Sequence, residues 1–141
     1  MTRRAFDSVS VGDALPEVTV PVTRATLVQY AGASLDRNPI HWDERFATSV
    51  GLPDVIAHGM WTMGAAATSV ADWAGDAGAV LEIGTRFTSP VVVPHDGGAE
   101  LTYGGTVAAL DEETRQATLD VTATCGDDKV LGRCRAVVQL A

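Results

Sequence analysis

Residues 55–74, from Val55 to Ala74, form the most apolar stretch of the chain, and they restrict its possible folds more than any other segment. His58, Gly59, Gly64 and Asp72 interrupt the stretch, and it is rich in alanine and threonine. It therefore reads as a buried core helix rather than a membrane span. Its centre, Ala65-Ala66-Ala67 with Gly64, Thr68 and Ser69, makes a slender rod that neighbours can approach very closely. A helix wrapped by a sheet needs that property.

The segments on either side supply such a sheet. Downstream, Val80 to Thr88 alternates, with Leu81, Ile83 and Thr85 opposing Glu82 and Arg86. Val91-Val92-Val93 runs into the loop Pro94-His95-Asp96-Gly97-Gly98, and Leu101–Leu110, Ala117–Cys125 and Val130–Leu140 predict three more strands. Asp111-Glu112-Glu113 and Gly126-Asp127-Asp128 are the turns between these strands. Upstream, Val18–Val22 predicts a short strand in which Pro21 marks an edge or an end. Thr23 is placed to cap a helix running through Leu27, Val28 and Ala31 towards Gly32. A second short helix should start at Asp43-Glu44 and stop at Gly51. Helices followed by an antiparallel meander predict the α+β class, with residues 1–141 as one domain built on a single curved sheet.

Composition narrows the partners. The chain carries a net charge of −8 with no basic cluster. This disfavours nucleic acid or an anionic membrane surface as main partner, although scattered basic residues could still meet a phosphate-bearing ligand. The N-terminal residues Arg3 and Arg4 precede no apolar run, so no secretory signal is read. Cys125 and Cys134 lack CxxC spacing and read as reduced thiols, which predicts a cytoplasmic location.

The chemistry concentrates in Asp36-Arg37-Asn38-Pro39-Ile40-His41-Trp42-Asp43. Pro39 fixes its own φ and pushes Asn38 out of the α region, so Asp36 and His41 cannot share a regular helical face. Asn-Pro favours a turn that can aim both side chains at one point, as acid–base work on a small substrate requires. An Asx-turn beside a solvent-facing imidazole would give the same spacing. The second motif, Ile56-Ala57-His58-Gly59-Met60, heads the long helix. The first N–H groups of a helix have no internal partners, and Gly59 lets a carbonyl approach its N–H directly, an oxyanion site. Equally, Gly59 could serve only close packing. His58 reads as a hydrogen-bonded structural histidine rather than a base. His41, Asp43 and His58 also match a two-histidine, one-carboxylate iron set, but such sets belong to all-β folds and the helix after His58 disfavours it.

Together, Asp36-x-Asn38-Pro39-Ile40-His41-x-Asp43 and Ala57-His58-Gly59-Met60 resemble the MaoC-like hydratase/dehydratase family across nearly the whole chain. Within it, these segments and the Val91–Gly98 loop are most similar to actinobacterial type-B subunits of (3R)-hydroxyacyl-acyl-carrier-protein dehydratase, the catalytic half of the fatty-acid and mycolic-acid elongation enzyme. The resemblance implies a hot-dog fold that pairs with a second hot-dog subunit, as homodimer or heterodimer. It implies reversible loss of water from a (3R)-3-hydroxyacyl thioester of coenzyme A or acyl-carrier protein, with no metal or redox cofactor. Asp36 and His41 match the catalytic pair, and Gly59 matches the glycine whose N–H polarises the thioester carbonyl. Asn38 and His58 accompany them as loop-shaping and substrate-binding positions. The other readings are a stand-alone (R)-specific enoyl-CoA hydratase and a non-catalytic hot-dog partner. A hot-dog thioesterase would need a carboxylate midway along the central helix, whereas Asp54 and Asp72 lie near its two ends. The family usually places glycine before the catalytic aspartate, and here the residue is Leu35. If that position requires φ > 0, leucine costs about 1–2 kcal/mol.

Overall fold

The computed structural model describes residues 2–141. Strand β1 (Ala14–Val22) leads into helix α1 (Arg24–Ser34), the short helix α2 (Glu44–Ser49) and the long helix α3 (Gly59–Ala74). Strands β2 (Val80–Phe87), β3 (Ala99–Asp111), β4 (Gln116–Cys125), β5 (Asp128–Lys129) and β6 (Leu131–Gln139) follow. One antiparallel sheet joins them in the order β1-β3-β4-β6-β2, with β5 beside the end of β4. This is the hot-dog arrangement, a sheet wrapped on one central helix.

Helix α3 touches β1, β2, β3 and β6. Its inward residues Thr62, Ala66, Val70 and Trp73 recur at near-helical spacing and are buried. They meet alternate residues of the sheet: Leu101, Tyr103 and Val107 of β3, Leu119 and Val121 of β4, Ala136 and Val138 of β6. The small middle of α3 leaves room for Tyr103, which is fully buried and donates from its hydroxyl to the Thr62 carbonyl at 3.2 Å. Gly75 closes the helix in the left-handed conformation.

Local signals are realised closely. Thr23 accepts from the Thr26 N–H while Thr26 Oγ1 accepts from the Thr23 N–H, a reciprocal cap. The helix runs two residues past Gly32, to Ser34. Pro21 lies on β1, an edge strand. Asp43 caps α2 by accepting from the Arg45 and Phe46 N–H groups.

Two expectations need correction. The apolar stretch is not helical from Val55: residues 55–57 are extended because they pair with Val91–Val93. Ala57 N–H donates to the Val91 carbonyl at 2.8 Å and Val93 N–H to the Val55 carbonyl at 2.9 Å. The meander also holds only for β3, β4 and β6, since β2 crosses to the far edge and pairs with β6. Cys134 lies opposite Val121, four residues along β4 from Cys125, so roughly 13 Å of strand keeps the two free thiols apart.

Candidate active site

The loop between α1 and α2 is built from short-range hydrogen bonds. Helix α1 ends at Leu35, whose φ of 64° and ψ of 8° put it in the left-handed region while its side chain stays exposed. The position does take φ > 0, so the leucine is strained there. The Asp36 N–H donates to Ser34 Oγ, and the Asn38 N–H donates to Asp36 Oδ1, each at 3.2 Å. Asn38 is extended, with φ −58° and ψ 126°, as a residue before proline should be. Its Oδ1 accepts the Ile40 N–H and so starts a single 3₁₀ turn, Pro39–His41. Asn38 thus shapes the loop with its side chain and holds the Asp36 carboxylate with its main chain. Trp42 donates from Nε1 to the Arg37 carbonyl, closing the loop from outside.

This turn swings His41 inward. Its side chain is 8% exposed, against 54% for Asp36, and Nε2 lies 3.9 Å from Asp36 Oδ2. His41 Nδ1 donates to the Ile56 carbonyl at 2.7 Å. The neutral ring consequently carries its proton on Nδ1 and presents a bare Nε2 lone pair to Asp36. Burial, above all, holds the imidazole below the ordinary histidine pKa; the Ile56 hydrogen bond opposes this, the nearby His58 reinforces it, and Asp36 opposes it.

His58 and Gly59 come from the segment entering α3. His58 is 2% exposed and donates from Nε2 to the Asp36 carbonyl at 3.1 Å. Its ring stacks on His41, with centroids 3.7 Å apart and planes inclined by 23°. The reading of His58 as a hydrogen-bonded structural residue fits this geometry. Gly59 begins α3, and among the described residues its N–H donates to no protein acceptor. That donor borders a cavity of about 330 Å³ lined by His41, Gly59, Thr62, Phe87, Val91 and Val130.

Asp36, His41 and His58 bring ligand-type atoms within 4.8 Å of one another, whereas Asp43 is occupied in capping α2. The ring nitrogens are poorly aimed for one ion. Imidazole lone pairs lie in the ring plane, and two stacked rings with centroids 3.7 Å apart and planes inclined by only 23° do not aim them at one point at the roughly 2.1 Å of a metal bond.

Sequence reasoning missed the Ile56 carbonyl that fixes the His41 tautomer, and it missed Phe87. The Phe87 ring lies against the Gly59 backbone, close to where a side chain would start. Neither residue bears a local signal, because both arrive through long-range pairing.

The fold and these residues define a hot-dog protein in which His41, with Asp36 3.9 Å away, lines one cavity with the first residue of the central helix. The chain belongs to the MaoC-like dehydratase family, matching the MaoC like domain over residues 9–125. It is 34% identical over 89 residues to 3-hydroxyacyl-thioester dehydratase X of Mycobacterium tuberculosis, covering 63% of this chain and 31% of that protein. It is 33% identical over 128 residues to 3-hydroxybutyryl-CoA dehydratase of Methylorubrum extorquens, covering 89% of this chain and 78% of the other. A solved MaoC-like dehydratase superposes with a TM-score of 0.96 at 43% identity, over 99% of this chain and 43% of that one. The chain thus spans less than half of two of these three relatives.

Proposed function

We propose that the chain is a (3R)-hydroxyacyl thioester dehydratase, working reversibly as an (R)-specific enoyl thioester hydratase. The observation that carries the proposal is that His41, its Nδ1 held by the Ile56 carbonyl and its bare Nε2 3.9 Å from Asp36 Oδ2, lines one cavity with Gly59, whose N–H is unpaired among the described residues.

The proton at C2 of an acyl thioester is weakly acidic, so its removal needs stabilisation of charge growing on the carbonyl oxygen. The Gly59 N–H, at the positive end of α3, is placed to donate to that oxygen. His41 Nε2 takes the C2 proton and becomes imidazolium beside the Asp36 carboxylate. Asp36 orients the C3 hydroxyl, and the imidazolium returns the proton to it as the C3–O bond breaks. Water leaves and a trans-2-enoyl thioester remains. In hydration the same groups hold and activate the incoming water. This chemistry calls on no metal or redox cofactor.

The dehydratase names of the two relatives support this class. A role in fatty-acid or mycolic-acid elongation, a coenzyme A or acyl-carrier-protein thioester, and a second hot-dog subunit belong to the same proposal. A cytoplasmic location accords with the two free thiols, and no helix of the described residues is long and apolar enough to cross a membrane.

Asp36→Asn and His41→Gln should each lower kcat for enoyl thioester hydration by about a hundredfold or more while the fold persists. Near-normal turnover by both variants would sink the assignment. Assaying enoyl thioesters of several lengths, with and without a candidate partner, separates a stand-alone hydratase from a subunit that needs its neighbour.

A further inference from the structure

His58 occupies the centre of the site, yet the reaction above gives it no step. It touches each reacting group indirectly: the Asp36 main chain through Nε2, the His41 ring through the stack, and Gly59 through its own peptide bond. Tyr30 of α1 meets its other side edge-on, with centroids 4.8 Å apart. Its Nδ1 is buried and, among the described residues, has no hydrogen-bond partner. A buried polar atom left unmatched is unfavourable, so a purely packing role would be met better by an apolar ring.

We infer that His58 is a positioning residue of the reaction, fixing the plane of the His41 imidazole and the backbone of Asp36 against the Gly59 N–H. The inference rests on the dehydratase reading. His58 itself is not placed to touch substrate, since Nε2 is committed to the Asp36 carbonyl and Nδ1 is enclosed. Without the stack, His41 would keep only its Nδ1 bond to Ile56 as a hinge, and the ring could rotate about it. Misplacement of a reacting group by about 1 Å is enough to lower turnover about a hundredfold.

The ionisable groups facing His41 are Asp36 from its own loop and His58 from the segment before α3, with the Tyr30 phenol behind His58. Of these, His58 works with burial to keep the His41 ring unprotonated, and Asp36 works against it. Removing the His58 imidazole should therefore raise the pH at which His41 takes up a proton.

Two substitutions separate the contacts. His58→Phe keeps a flat ring for the stack and loses the donor to Asp36. His58→Gln can keep a donor near the Nε2 position and loses the ring. Each should remain folded by circular dichroism and lower kcat about tenfold to a hundredfold with little change in KM. Nitrogen-15 spectra of the resting protein should show His41 protonated on Nδ1 in the wild type and titrating at higher pH in both variants. If one variant fails to fold, the other decides.

Wild-type kcat in a folded variant overturns the inference. So does a lowered kcat with the His41 tautomer and titration unmoved. A wild-type chain that hydrates no enoyl thioester, either alone or with its partner subunit added, would instead overturn the proposed function, and the spectra would still decide whether His58 governs His41.

Discussion

Gly59→Ala separates the fold from the chemistry, because turnover should fall while stability barely changes. A β-carbon at position 59 would sit 3.0–3.1 Å from three atoms of the Phe87 ring. Carbon contacts prefer about 3.5–4.0 Å, so the ring must retreat by about 0.5 Å. Phe87 is 52% exposed and can swing towards solvent, which makes that retreat cheap. Alanine also favours helix over glycine by up to about 1 kcal/mol, a gain that offsets the displacement. Unfolding should therefore stay within about 1 kcal/mol of wild type. The new methyl group nevertheless stands at the cavity wall beside the Gly59 N–H, where the thioester carbonyl has to arrive. Losing one oxyanion donor of this kind lowers kcat about 10²–10³-fold, or about 2.7–4 kcal/mol. The assay follows loss of enoyl ultraviolet absorbance on hydration, alongside a denaturant melt of the same preparation. Wild-type turnover in a folded Gly59→Ala protein would refute the reasoning, because the carbonyl could not then depend on close approach at Gly59.

Three further outcomes are expected. Since the folded-state pKa of His41 lies below the unfolded value of about 6.5, the unfolded chain binds the proton first as pH falls. The stability contributed by neutral His41 is therefore complete above that value and lost on acidification below it. Melting temperature should drop from pH 7 to pH 5, by less in His41→Gln, and the acid limb of kcat/KM should lie below the ordinary histidine value. Leu35→Gly should relieve about 1–2 kcal/mol of left-handed strain, offset by the greater freedom of glycine in the unfolded chain. A net gain of about 0.5–1 kcal/mol, read as a rise of a few degrees in melting temperature with activity retained, is the expected result. Arg24→Met should destabilise by about 2 kcal/mol in urea unfolding. It removes the donors at 2.6 Å to the Val93 carbonyl and Asp54 Oδ1, and leaves a carboxylate only 21% exposed without its counter-charge.

Features that depend on a few neighbouring residues were legible in the sequence. The Thr23 and Asp43 caps and the extended Asn38 before Pro39 each follow from local sterics or hydrogen bonding. Leu35 was marked differently, by the family resemblance: the departure from the family's glycine fell on a position that does take φ > 0. The start of α3 was not legible. Val55, Ile56 and Ala57 would extend the apolar helical stretch, and only pairing with Val91–Val93, some thirty-six residues away, makes them extended. Phe87 was hidden for the same reason, since nothing near it records that β2 crosses the sheet to lie against Gly59.

That long-range pairing also explains why two separate motifs act as one site. Clamping residues 55–57 as a strand turns the Ile56 carbonyl towards the loop, where it accepts from His41, while the Ile56 N–H donates to the Ile40 carbonyl at 3.1 Å. The next side chain but one, His58, reaches back to the Asp36 carbonyl. Each motif thus lends a histidine to the other's main chain, and the two imidazoles stack where the bonds cross. Neither histidine has its partner within its own motif, so either motif alone would leave an imidazole free to turn. Helix α3 can begin only where the clamp ends, and the first residue past His58 is Gly59. The clamp that delays the helix therefore sets both the tautomer of His41 and the point, Gly59, at which α3 begins.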